Sequence, residues 1–171
     1  MTRYIRRVEQ PQVSKLTIVH DDREKRPWTF IESVYGAMEK KRLKCGDYSI
    51  KGFEDIVAIE KKSGIGELFA DLTGAYRETF KRFLKRLSKY PVKCIIVENG
   101  FSDSNINSVL YTLKKKSNGR SKLSHDTMYY WVSEIMCRYG IPILFMDKGT
   151  MKKVLPYVFE SAYRRAKEIQ K

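Results

Sequence analysis

The chain has 171 residues, with 34 Lys plus Arg against 20 Asp plus Glu and a formal charge of +14. Its 42% hydrophobic content, including 8 Phe and 11 Tyr, supplies a sizeable core and excludes a disordered basic tail, a collagen-like repeat and an acidic chain. Three scattered cysteines without Cys-x-x-Cys spacing, and no apolar run near the ~20 residues of a membrane span, exclude a disulfide framework, a zinc knuckle and a membrane protein; an intracellular protein without a small-molecule cofactor is expected.

Residues 1–14 mix Arg3, Arg6 and Arg7 with Gln, Glu and Pro11 without periodicity, which reads as a flexible basic arm; residues 15–171 read as one domain. Leu16-Thr-Ile-Val-His20 is a β-branched run expected as a buried strand. Pro27 opens an expected helix in which Phe30, Val34, Ala37 and Met38 recur at helical spacing. Asp47–Ile50 and Ile56–Glu60, separated by a polar turn, read as a β-hairpin. From about Gly66 to Tyr90 one long amphipathic helix is expected, with Leu68, Leu72, Tyr76, Phe80, Phe83, Leu84 and Leu87 on its apolar stripe. The other face carries Arg77, Lys81, Arg82, Lys85, Arg86 and Lys89.

Val92–Val97 reads as a further buried strand, followed by a helix over Ile106–Leu113 and a basic loop over Lys114–Lys122. Ser124 is placed to cap a helix that Gly140 and Pro142 end, Ile143–Met146 is the last strand, and a final helix starts near Thr150 with Pro156 expected to kink or delay it. Strands alternating with helices, with an early hairpin, give an α/β domain: a mixed central sheet with flanking helices.

The charge is unevenly spread. Residues 1–76 hold 14 basic and 12 acidic groups, residues 77–122 hold 12 and 3, and residues 123–171 hold 8 and 5. A basic middle third suits a polyanion such as DNA, and Arg26, Arg77, Lys81, Lys114, Lys115, Lys116, Arg120 and Lys122 are its candidate contacts.

Against that background three acidic islands stand out: Asp21-Asp-Arg-Glu24, Gly46-Asp47 and Glu60-Lys-Lys62. Strand alternation points Glu60 and Lys62 to one face and Lys61 to the other, and the hairpin sets Asp47 across from Glu60. Paired carboxylates suit a hard cation such as Mg²⁺ or Mn²⁺ that shares its remaining positions with phosphate oxygens.

In order and spacing, Asp21-Asp-Arg23-Glu24, Gly46-Asp47-Tyr and Ile59-Glu60-Lys-Lys62 resemble the nuclease domain of the XPF family of structure-specific endonucleases, a branch of the PD-(D/E)xK superfamily. The resemblance implies a restriction-endonuclease-like fold and Mg²⁺- or Mn²⁺-dependent cleavage of DNA at flaps, forks or Holliday junctions in replication, recombination or repair, by a homodimer. It assigns metal binding to Asp47 and Glu60, with Asp21 beside them, and makes Lys62 the catalytic lysine. Arg23 and Glu24 complete a motif flanking the site. The family usually has Glu-Arg-Lys where this chain has Glu60-Lys61-Lys62. Its acid beyond the lysine falls near Gly66, leaving the role open between Glu67 and Asp71. A non-catalytic nucleic-acid-binding module of the same fold, or an accessory subunit of another nuclease or helicase, is the alternative.

Overall fold

The computed structural model describes residues 16–35, 37–116, 118–119 and 122–171. The expected arm at residues 1–14 lies outside them, as does Arg120. Among the described residues a six-stranded mixed sheet carries six helices.

Strand β1 (Ile18–Asp21) pairs parallel with β2 (Met38–Lys41) and antiparallel with β3 (Tyr48–Ile50); β3 pairs antiparallel with β4 (Val57–Lys62), and β5 (Val92–Val97) and β6 (Ile143–Phe145) continue in parallel. The spatial order is β2-β1-β3-β4-β5-β6, so the expected hairpin β3–β4 forms the middle of the sheet. Every residue of β4 is buried. Its alternation divides the core: Val57 and Ile59 pack with Trp28, Tyr48 and the long C-terminal helix, whereas Ala58 packs with the helices of the opposite layer.

Four expectations fail here, each for a physical reason. The first helix, α1, is only Phe30–Tyr35, and Met38, expected on its apolar stripe, belongs to strand β2. The Ala37 carbonyl already accepts from Ile18 N (3.3 Å), so strand pairing with β1 captures this segment before a second helical turn is completed. Met-Glu-Lys-Lys is a short, charged sheet edge, a composition that guards against further pairing.

The expected long helix is two, α2 (Ile65–Thr73) and α3 (Arg77–Leu87), and Tyr76 is 71% exposed instead of lying on the buried stripe. Gly74 closes α2 through its N–H to Ala70 O (2.9 Å), and a Cβ there would stand 2.7 Å from that oxygen, so the turn requires glycine. Ile65, Leu68, Phe69 and Leu72 remain the buried face of α2, each contributing about 1.5–3 kcal/mol.

The expected basic loop is partly helix: α4 spans Asp103–Lys116, so Lys114, Lys115 and Lys116 form its last turn, where cations meet the negative end of the helix dipole. Helix α5 (His125–Arg138) begins as expected, Ser124 Oγ accepting from Thr127 N. Helix α6 (Lys148–Gln170) starts earlier than Thr150 and runs through Pro156, which is buried and does not delay it; Asp147 caps it by accepting from Gly149 N and Thr150 N. No helix among the described residues is long and apolar enough to cross a membrane.

Candidate active site

The acidic islands meet at the centre of the sheet, where three adjacent strands bring them together through the backbone. Asp21 N donates to Asp47 O (2.8 Å), and Asp47 N donates to Ile59 O (2.8 Å). Gly46 makes the second contact possible: its φ is +77°, and a Cβ would lie 2.9 Å from Ile59 O.

Asp21 is a strut. Its Oδ1 accepts from Arg23 N (2.9 Å) and Arg23 Nε (2.6 Å), and its Oδ2 accepts from Arg23 Nη2 (3.0 Å) and Leu43 N (2.8 Å). Burial alone would raise its pKa, but the Arg23 guanidinium and the two backbone donors outweigh that and hold it at about 2. Arg23 also donates to Leu43 O (3.1 Å), fixing the segment that leads into Gly46.

Asp47 and Glu60 are less well compensated. Asp47 Oδ2 accepts from Lys61 N (2.8 Å), and Glu60 Oε1 lies 2.8 Å from Lys62 Nζ; no hydrogen bond from the described residues reaches the other oxygen of either group. Burial raises the pKa of Asp47, against the Lys61 amide and the Lys62 charge. Glu60, 8% exposed, is pushed up to about 8, first by burial and then by Asp47 and Asp71, with Lys62 opposing.

Lys62 is also buried, yet its pKa is raised, because Glu60 and Asp71 outweigh the desolvation that would lower it. Its Nζ lies 2.9 Å from Asp71 Oδ2 and 3.6 Å from Glu67 Oε1, so both acids left open by sequence reach the lysine. Glu67 Oε2 accepts from Ser63 N (2.8 Å) and Ser63 Oγ (2.6 Å), and those bonds with Lys62 hold its pKa below the ordinary value despite burial.

Lys61 points to the opposite face, as alternation requires. Its Nζ donates to Arg26 O, lies 3.6 Å from Glu98 and 3.7 Å from Glu24, and sits 5.9 Å from the Trp28 ring centroid. Trp28 Nε1 donates to Glu98 (2.6 Å), and its indole stacks on Tyr48 at 4.2 Å, so this face carries a mutually compensated polar cluster beside a hydrophobic wall.

A cleft of about 300 Å³ opens over Asp21, Arg23, Glu24, Asp47 and Glu60. Lys44, Cys45, Phe83 and Arg86 complete its walls, and sequence reading had not placed them there. Burial pushes the Cys45 thiol up to about 11, with Glu60 adding to the effect, which keeps it protonated and unreactive. Arg86 makes no ion pair among the described residues, whereas Lys44 pairs with Asp55 at 2.8 Å.

The expected DNA contacts are dispersed. Arg77 stacks on Trp131 (5.1 Å), Lys81 pairs with Glu78 (2.9 Å), Lys114, Lys115 and Lys116 end α4, and Lys122 is exposed ahead of α5. None of these lines the cleft; Arg26 lines the depression beside it.

The donor set suits a hard divalent cation, since Glu60, buried, and Asp47, half-buried, keep an oxygen each and share a deficit of positive charge. Among the described residues no group of three or more His, Cys, Asp or Glu is placed to hold a metal ion, so the expected trio of Asp21, Asp47 and Glu60 does not form a ready site. Asp21 would join such a set only by exchanging one of its four donors.

A sequence model described as the ERCC4 domain matches residues 21–150. Among solved structures the chain is similar to XPF from Aeropyrum pernix, at 21% identity and a TM-score of 0.60, covering 90% of this chain and 68% of that one. It is also similar to XPF from Aeropyrum pernix in complex with DNA, at 22% identity and 0.59, covering 90% and 66%. The chain thus spans about two thirds of the length of these structures. The comparison with curated proteins returned no significant match.

Proposed function

Since the chain belongs to the ERCC4-domain family of nucleases, we propose that it is a metal-dependent DNA endonuclease that hydrolyses phosphodiester bonds at branched structures: flaps, forks or Holliday junctions. The observation that carries this reading is the Asp47–Glu60 pair, a half-buried and a buried carboxylate with an oxygen each to spare, next to a lysine held 2.8 Å from Glu60. A plain phosphate-binding surface would not bury uncompensated negative charge.

Asp47 and Glu60 would hold Mg²⁺ or Mn²⁺, which when bound supplies a polarised phosphate and a water of lowered pKa. Lys62 would orient the attacking water and offset charge developing on the phosphate; its raised pKa keeps it cationic, so it acts as a fixed charge and not as a base. Asp71 and Glu67 hold that ammonium in place. Arg23, locked to Asp21, would present its remaining guanidinium edge to a phosphate at the cleft mouth, with Glu24 beside it. Arg86 fits the role of a second phosphate clamp, as a cation of the same cleft that makes no ion pair among the described residues. Arg26, Arg77, Lys81, Lys114, Lys115, Lys116, Arg120 and Lys122 would contact the backbone farther out. Products would carry 5′-phosphate and 3′-hydroxyl ends. Pairing of two copies belongs to the same reading, supported by Tyr129, Tyr130 and Met136 exposed on α5.

Labelled flap, fork, four-way junction, duplex and single-stranded DNA incubated with Mg²⁺, Mn²⁺ or EDTA test the reading. Cutting of a branched substrate with metal and none with EDTA is expected. No cutting of any substrate, or cutting by Asp47→Asn and Glu60→Gln at the parent rate, would overturn it. Light scattering that gives the 20.1 kDa monomer mass at high concentration would remove the dimer.

A further inference from the structure

We propose that a pocket on the reverse face of β4, between the β1–α1 segment and the first turns of α6, holds a nucleotide of single-stranded DNA running on from the cleft. The inference rests on the nuclease reading above and assigns a second binding site within it. The cavity measures about 500 Å³, a size that suits a nucleotide.

Its lining combines the two chemistries a nucleotide needs. Phe30 and Met151 give an apolar wall, and Arg26, Lys61, Lys148 and Lys152 give four cations against one acid, Glu98. Glu98 is already engaged by Trp28 Nε1 at 2.6 Å and by Lys61 at 3.6 Å. The Arg26 guanidinium and the Lys148 and Lys152 ammonium groups are exposed and make no ion pair among the described residues. Asp147 occupies the first-turn amides of Gly149 and Thr150, so holding a phosphate falls to the side-chain cations. A cationic groove with an apolar wall is the usual arrangement for single strands.

Continuity with the cleft fixes the occupant as a strand and not a free nucleotide. A second depression of about 310 Å³ shares Arg26, Lys61 and Ser63 with this pocket and shares Glu24 with the cleft. The three depressions therefore follow one another along the C-terminal ends of β1 and β4, where ligands of open α/β sheets bind.

The test reads binding without metal, so it does not depend on cleavage. With Trp131→Phe as background, Trp28 is the remaining tryptophan of two, and its emission is followed as oligothymidylate is added, beside anisotropy of a labelled oligomer. A saturable Trp28 response is expected. In Lys148→Gln/Lys152→Gln, affinity for the oligomer should fall roughly tenfold and the slope of log K against log salt should lessen by about 1.4, about 0.7 for each lost phosphate contact. Duplex of equal length should lose much less. Unchanged affinity and slope in the double variant, an equal loss for duplex, or a silent Trp28 would each overturn the pocket and leave the nuclease reading standing. Absence of cutting by the parent with metal would instead sink the nuclease reading, the oligomer result being read independently.

Discussion

The two faces of strand β4 are built from the same few residues and end in opposite electrostatic states. On one face Glu60 and Lys62 sit with Asp47, Glu67 and Asp71, so that acid outnumbers base, and burial drives the pKa values of Asp47 and Glu60 up while Ser63 and Lys62 hold Glu67 below its ordinary value. On the other, Lys61 is equally buried at 7% exposure, but Glu24, Glu98, the Arg26 carbonyl and the Trp28 ring compensate it from several sides. A compensated buried charge secures structure. One left short of its counter-charge favours a ligand, which on the proposed reading is a divalent cation.

The comparison is broken most severely at Glu60. Glu60→Gln should lower the rate of DNA cleavage about a thousandfold, comparable to removing a main electrostatic contribution to a transition state, while leaving the fold intact. Its stability should change in the opposite sense to its activity. Burial raises the folded-state pKa of Glu60 from 4.5 to about 8, so the folded state binds the proton more tightly, and stability is lost as pH rises from about 4.5 to 8. Melting curves of Glu60→Gln in EDTA should lack that decline, and Mg²⁺ added to the parent near pH 7 should release protons, measurable by calorimetry in buffers of different ionisation heat.

Lys61→Met sets the second test, with stability and activity exchanged. Removing one partner leaves Glu98 and Glu24 without their shared cation, and urea unfolding should show a loss of about 3 kcal/mol. Cleavage at low temperature should persist, since the Lys61 amide that holds Asp47 remains.

A smaller effect is expected at Asp21. Its folded pKa of about 2 lies below the ordinary 3.8, so it contributes about 2 kcal/mol that is present above pH 3.8 and disappears as pH falls toward 2. Asp21→Asn should remove that part of the acid transition. The smallest effect belongs to the exposed Lys81–Glu78 pair on α3, where Lys81→Ala should cost about 0.3 kcal/mol, read by the same urea titration.

The site was legible in sequence where its geometry is local. Alternation in Glu60-Lys61-Lys62 and the hairpin register follow from strand periodicity and a turn, and Gly46-Asp47 sits where that register requires. Elements that depend on distant partners were not legible. Met38–Lys41 has one apolar residue in four and becomes a strand only because β1 lies beside it. The break at Gly74 was hidden because Leu68, Leu72, Phe80 and Leu84 keep the spacing of one helix across it. Arg86 looked like one more cation on a solvated face, and only the packing of α3 brings it to the cleft.

The chain of backbone bonds from Asp21 N to Asp47 O and from Asp47 N to Ile59 O has a kinetic consequence. The three acidic islands come from three separate segments, and each is fixed by main-chain pairing at the middle of the sheet. The amides of Asp21, Asp47 and Lys61 should therefore be among the slowest of the chain to exchange with deuterium, as expected for central strands. The reactive geometry should then form in one step, during refolding, as the central strands close.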